Sequence, residues 1–156
     1  MCDYSLQGIR NRLAEEGETL VVHRFYTGSK GLTSPKYLKP TEKPKGLIGA
    51  FKRMLTGQID ECAVCIPDGA RLILHDISPK LQQAHALSAN EGVTFRQLSA
   101  EAATYRDAVE FENGVKVRLQ DLDEGQTVAI LALSSEEIRV RQGDIVSVNT
   151  WLGTQA

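Results

Sequence analysis

The sequence predicts a mainly β protein, an antiparallel barrel or sandwich of hairpins that carries one or two short helices. Short segments rich in β-branched and aromatic residues recur along the chain, and turn-forming dipeptides separate them at short intervals. The length of 156 residues and the hydrophobic content of 42% suit one ordinary domain. We therefore expect a single β-rich domain over residues 1–156.

The first half of the chain supplies three predicted strands. Residues 19–25, TLVVHRF, follow the turn-like EEGE and are dense in strand-forming residues. Residues 62–66, CAVCI, and residues 71–77, RLILHDI, flank a Pro-Asp-Gly tripeptide. This tripeptide combines a fixed φ, an Asx hydrogen bond and a positive φ, so we expect these two segments to pair as a hairpin.

The second half repeats the pattern in five segments, residues 108–112, 115–119, 127–133, 138–141 and 144–149. The first two flank Asn113-Gly114, which is typical of a tight hairpin turn. The third, TVAILAL, is apolar nearly throughout, as expected of a strand that is covered on both faces. The last two surround Gln142-Gly143 and predict a closing hairpin.

Two regions depart from the β pattern. Residues 34–46 contain three prolines among lysines, and this composition predicts an extended surface loop. In residues 46–56, the apolar side chains fall on one helical face, which predicts a short amphipathic helix. Ser78-Pro79 favours a second helix through Leu87, with a loop as the alternative.

A basic stretch lies within a chain whose net charge is −2. Residues 24–53 carry eight cations against one anion and are interleaved with aromatic residues, a pattern that can bind phosphate or nucleic acid. The isoelectric point of about 5.9 opposes nucleic-acid binding, and lysines in a proline-rich loop are most simply solvated. The candidate binding residues are Lys36, Lys39, Lys43, Lys45, Lys52 and Arg53.

Cys2 is the candidate catalytic residue. Removal of Met1 would leave a thiol and a free α-amine on one residue, and an amine that titrates near pH ~8 can take the thiol proton. No other motif completes an active site. A non-enzymatic binding or interaction module, with a protein or small molecule as partner, is therefore our leading hypothesis. A cysteine-dependent enzyme or autocatalytic protein is the alternative.

The remaining cysteines and histidines do not predict a metal site or a cofactor. Cys62 and Cys65 have C-x-x-C spacing, but residues three apart in a strand point to opposite faces, and no second pair follows. The three cysteines are an odd number, and the start of the chain does not resemble a secretion signal. We therefore expect reduced thiols and a cytoplasmic location. No segment approaches the ~20 apolar residues of a membrane span.

Three sequence segments carry a resemblance. MCDYSL, AVCIPDGARL and DAVEFENG followed by EGQ are similar to a group of short bacterial proteins with a domain of unknown function. The resemblance implies a bacterial origin and a single domain, and it implies no activity, cofactor or site residue.

Overall fold

The computed structural model describes residues 6–38, 61–99, 101 and 104–134. Strands β1 to β9 in these residues are Arg10–Leu13, Thr19–Arg24, Lys30–Thr33, Cys62–Cys65, Arg71–His75, Glu91–Gln97, Asp107–Phe111, Lys116–Arg118 and Thr127–Ala132. Helices α1 and α2 are Pro35–Leu38 and Pro79–His85, and a 3-10 helix spans Leu119–Asp121. The predicted mainly β class is confirmed. Within the described ranges, no helix combines the length and apolar character needed to cross a membrane.

Seven strands form one curled antiparallel sheet in the order β3-β2-β9-β5-β6-β7-β8, which we call the large sheet. Buried and more exposed side chains alternate along its strands. In β5, Leu72 and Leu74 are buried, while Ile73 between them is half-buried. The buried residues of these strands form the main core. β9 follows the same rule, and its Leu131 is 46% exposed. The expectation that β9 is covered on both faces is therefore wrong.

A glutamine side chain closes the large sheet at its β3 edge. Gln120 lies in the 3-10 helix that follows β8, at the far end of the strand order. Its Oε1 accepts a hydrogen bond from the Lys30 N–H at 2.9 Å, and its Nε2 donates to the Lys30 carbonyl at 2.7 Å. The Lys30 ammonium donates to the Leu122 carbonyl at 2.6 Å. The amide thus satisfies both backbone groups of Lys30, as a neighbouring strand would.

Strands β1 and β4 form a separate two-stranded parallel sheet, which we call the small sheet. It packs beside β3, where the Thr33 hydroxyl donates to the Cys62 carbonyl at 2.7 Å. A second core lies at this junction and consists of Leu6, Ile9, Phe25 and Ala63. Gly31 permits the close packing, because a Cβ atom there would lie 2.7 Å from Leu6 Cδ1 and 3.0 Å from Phe25 Cε2.

The predicted hairpin of residues 62–77 is wrong. β4 pairs with β1, whereas β5 pairs with β6 and β9. The turn itself is present, since Gly69 has a φ of +87° and the Ala70 N–H donates to the Pro67 carbonyl at 3.3 Å. The turn therefore bends the chain from the small sheet into the large one. Turn chemistry fixes the local bend, but the burial of each strand decides its partner.

The hairpin at Asn113-Gly114 and the helix after Ser78 are confirmed as β7–β8 and α2. The loop expected over residues 34–46 is wrong for Pro35–Leu38, which form one helical turn with a hydrogen bond from the Tyr37 N–H to the Ser34 carbonyl at 3.0 Å. Proline at the first helical position is compatible with such a turn. The amphipathic helix predicted over 46–56 and the hairpin predicted over 138–149 lie outside the described residues.

Candidate functional site: a basic strand edge around Tyr37

The structure describes three of the eight cations in the basic stretch, and two of these make internal contacts. Lys30 closes the large sheet. Arg24 donates to the Gly28 carbonyl at 2.9 Å and lies 3.6 Å from a Glu124 carboxylate oxygen. Lys36, one of the predicted binding residues, is exposed on α1. The other predicted binding residues, Lys39, Lys43, Lys45, Lys52 and Arg53, lie outside the described residues.

Lys36 belongs to a cluster that the sequence did not predict. Its ammonium lies 5.0 Å from the centroid of the Tyr37 ring, and the guanidinium carbons of Arg10 and Arg12 each lie 5.8 Å from the same centroid. Arg10 and Arg12 share one face of β1 because strand side chains alternate. Cations at these distances are attracted to the ring face. We call β1 together with Lys36 and Tyr37 the basic edge.

Arg12 is held in place by its neighbours. Its Nη1 and Nη2 donate to the two carboxylate oxygens of Glu18 at 3.0 and 2.7 Å, and its Nε donates to the Tyr37 hydroxyl at 3.2 Å. The hydrogen bond to Glu18 raises the pKa of Arg12, against the opposing effect of burial. Burial alone would raise the pKa of Glu18, but hydrogen bonds from Arg12 and from the Glu15 N–H hold it below its usual value. Arg12 therefore orders the cluster, and Arg10 and Lys36 beside it are exposed residues.

Part of the β1 backbone faces away from β4. Within the described ranges, β1 pairs with β4 and with no other strand. The Ala14 N–H donates to the Cys65 carbonyl at 2.9 Å, so the backbone groups of the preceding residue, Leu13, face away from β4. Leu13 is also 70% exposed. The basic edge thus combines cations, an aromatic ring and a strand edge that no described strand covers.

A second polar group lies at the junction of the two sheets. His23 Nε2 is 3.1 Å from Glu61 Oε1, and both side chains are largely buried. Glu61 Oε2 also accepts from the Tyr26 N–H at 3.3 Å, and the His23 ring meets Phe25 edge-on at 5.0 Å between centroids. A histidine oriented by a carboxylate can transfer protons. Here the pair spans β2 and the residue before β4, so its evident role is to tie the two sheets together.

The cysteines differ in state. Cys62 is a free, buried thiol, whereas Cys65 is disulfide-bonded. The expectation of reduced thiols is therefore wrong for Cys65. The predicted strand over Cys62–Cys65 is confirmed, and all four of its residues are buried. Among the described residues, no three His, Cys, Asp or Glu side chains are grouped so that they could hold a metal ion.

The predicted catalytic residue, Cys2, lies outside the described residues. The basic edge has a modest signal in the sequence, the alternating arginines of RNRL at residues 10–13. The sequence gives no sign that α1 brings Tyr37 to them, because the two segments are about two dozen residues apart in sequence. Comparisons of this chain with protein-family models, with curated proteins and with solved structures find no match, so the resemblance to short bacterial proteins stays a prediction.

Proposed function

We propose that the protein is a non-enzymatic binding module that holds an anionic partner at the basic edge. The observation that carries this proposal is the gathering of Arg10, Arg12 and Lys36 around one tyrosine ring, on a strand that has one neighbour among the described strands. Arginine and lysine attract carboxylates, and arginine does so with directional donors. A prearranged cluster lowers the entropic cost of binding.

The charges around the basic edge favour a short acidic segment over nucleic acid. Glu15 and Glu16 are exposed on the turn after β1, and Glu18 is paired with Arg12. A long phosphate backbone would have to pass this acidic turn. Arg24 and Lys30, which would extend a basic track, make internal contacts. We therefore favour a partner of limited length that carries carboxylates on an extended chain.

Binding of a labelled peptide tests the proposal. We expect a short peptide of alternating Glu and Val to bind in a fluorescence anisotropy titration, and to bind more weakly as salt screens the charges. Arg10→Gln and Lys36→Gln should each raise Kd about threefold, and the double variant about tenfold, as expected for exposed ion pairs.

Lys80→Gln is the matched control, because Lys80 is an exposed lysine on α2. Its Kd should equal that of the wild type. Equal weakening by Lys80→Gln and Lys36→Gln would contradict a localised site. Tighter binding of an oligothymidylate than of the peptide, lost in the Lys36 variant, would overturn the proposal in favour of the phosphate-binding alternative through residues 24–53.

The cysteine-dependent alternative rests on Cys2 and is tested by counting thiols. The sequence has three cysteines, so one intrachain disulfide leaves one thiol per denatured chain, and reduction should raise the count to three. Two thiols before reduction would indicate that Cys65 is bonded to another molecule. If peptide mapping joins Cys65 to Cys2, the terminal nucleophile is blocked in the oxidised protein.

The predicted cytoplasmic location remains a proposal. The disulfide at Cys65 argues against this location, because disulfides persist mainly in oxidising compartments. Alkylation of thiols in intact cells before lysis would decide the point. Three alkylated cysteines would support the reducing cytoplasm, and one would contradict it.

A further inference from the structure

Among the described residues, no strand covers the outer side of β1, where N–H groups recur in the spacing of a strand. Because the Ala14 N–H faces β4, the N–H groups of Leu13 and Asn11 face away from it. The outward carbonyls are partly occupied, since Asn11 Nδ2 donates to the Ile9 carbonyl at 3.3 Å and Arg12 Nη1 donates to the Leu13 carbonyl at 3.0 Å. The edge is therefore richer in donors than in acceptors.

We propose that an acidic segment of the partner pairs with β1 as an added strand. This inference rests on the proposed function and specifies how the partner is held. The carbonyls of the added strand accept from the N–H groups of Asn11 and Leu13. Its carboxylates on one face meet Arg10 and Lys36, and an apolar side chain on the other face covers Leu13, which is 70% exposed.

Charge argues for such a partner over a second copy of this chain. Antiparallel pairing of β1 with itself would bring the arginines of two copies onto one small ladder, and like charges opposite each other oppose pairing. The same arginines would attract the carboxylates of an acidic strand. Arginines on an edge strand can also serve to prevent edge-to-edge aggregation. The experiment must therefore distinguish that role from binding of an acidic partner.

N-methylated peptides make this separation. Two peptides of alternating Glu and Val have the same charge, but one is N-methylated at alternate amides on the side that faces β1. The methyl groups block close strand pairing and leave the carboxylates in place. We expect methylation to raise Kd at least about tenfold, which corresponds to the loss of one or two hydrogen bonds.

The outcomes distinguish the inference from the function on which it rests. Equal binding of the two peptides, with the loss in Arg10→Gln and Lys36→Gln retained, would overturn strand addition and leave the binding function standing. Binding of neither peptide up to about 1 mM would overturn both. Dimers of the wild-type chain that dissociate in Leu13→Pro would show that a second copy occupies the edge, and would overturn the acidic partner.

Variants at Leu13 test the same contact from the protein side. Leu13→Pro removes an N–H that faces away from β4, so the small sheet retains its own hydrogen bonds, and edge strands accept proline in this orientation. It should weaken the unmethylated peptide about tenfold, while Leu13→Ile, which keeps both the N–H and an apolar side chain, should weaken it by less than about threefold. If Leu13→Pro unfolds by circular dichroism, hydrogen exchange of the wild type decides: the Leu13 and Asn11 amides must gain protection from the unmethylated peptide only.

Discussion

The protein has two strand edges at neighbouring places in the fold. A side chain from another element binds the backbone of one edge, whereas no described strand covers the other. At the β3 edge of the large sheet, Gln120 satisfies both backbone groups of Lys30, and Thr33 donates a hydrogen bond to the small sheet. At the β1 edge of the small sheet, the outward N–H groups meet no described strand, and arginines line the strand. Both strands are four residues long, so their length does not explain the difference. Specific side chains determine how each edge is covered.

The same difference extends to the charged residues. On the large sheet, Arg96 donates to Glu110 at 2.7 Å, and this hydrogen bond holds the pKa of Glu110 below its usual value. Arg118 pairs in the same way with Asp121 at 2.9 Å. At the basic edge, Arg12 pairs with Glu18, and the cations of Arg10, Arg12 and Lys36 also gather around the Tyr37 ring. The basic edge thus differs from these single pairs, because three cations share one aromatic ring there.

The largest expected effect comes from opening the closed edge. Gln120→Ala removes both hydrogen bonds to Lys30 and leaves its partly buried backbone groups without these partners. We expect the free energy of unfolding to fall by about 2–3 kcal/mol in urea denaturation. Gln83→Ala, at an exposed position of α2, is the control and should change stability by less than about 0.5 kcal/mol. A similar loss in both variants would contradict closure by Gln120.

A smaller loss is expected at the packing between the two sheets. Gly31→Ala forces a methyl group against Leu6 and Phe25 in the second core, and we expect a cost of about 1–2 kcal/mol. Gly92→Ala, in β6 of the large sheet, has open space for its Cβ and should be nearly neutral. Equal thermal stability of the two variants would show that Leu6 yields without cost and that the junction is loosely packed.

The smallest effect concerns the ion pair that orders the basic edge, and it depends on pH. The pKa of Glu18 is lowered in the folded state, so the Glu18–Arg12 pair contributes stability above the ordinary glutamate pKa of about 4.3. That contribution is lost as the pH falls through the lowered value. Glu18→Gln should therefore cost about 1 kcal/mol at pH 7, and its stability should converge with that of the wild type in acid.

Denaturation of the wild type and Glu18→Gln across this pH range measures the effect. Glu124→Gln is the control, because the exposed Arg24–Glu124 pair is 3.6 Å long and half-exposed. It should show little difference at any pH. A constant difference between Glu18→Gln and the wild type down to acid pH would mean that shape and hydrogen bonding, and not charge, hold Arg12.

Several elements follow from local patterns alone. The strand-forming residues of 19–25, the Asn113-Gly114 turn and the Ser78-Pro79 helix start predicted β2, the β7–β8 hairpin and α2 correctly. β1 and β3 escaped prediction because four-residue strands with polar or glycine positions carry almost no periodicity. β6 has alternating Val93 and Phe95, so its signal was present in the sequence and was missed.

The sequence by itself determined the mainly β class, most strand positions and the local turns, because these depend on neighbours within a few residues. Only the tertiary structure decided that β4 leaves β5 to pair with β1, that Gln120 closes the sheet onto Lys30, and that Tyr37 gathers Arg10, Arg12 and Lys36. These contacts join residues far apart in the chain. Their free energy comes from burial and packing that exist only once the sheets have formed.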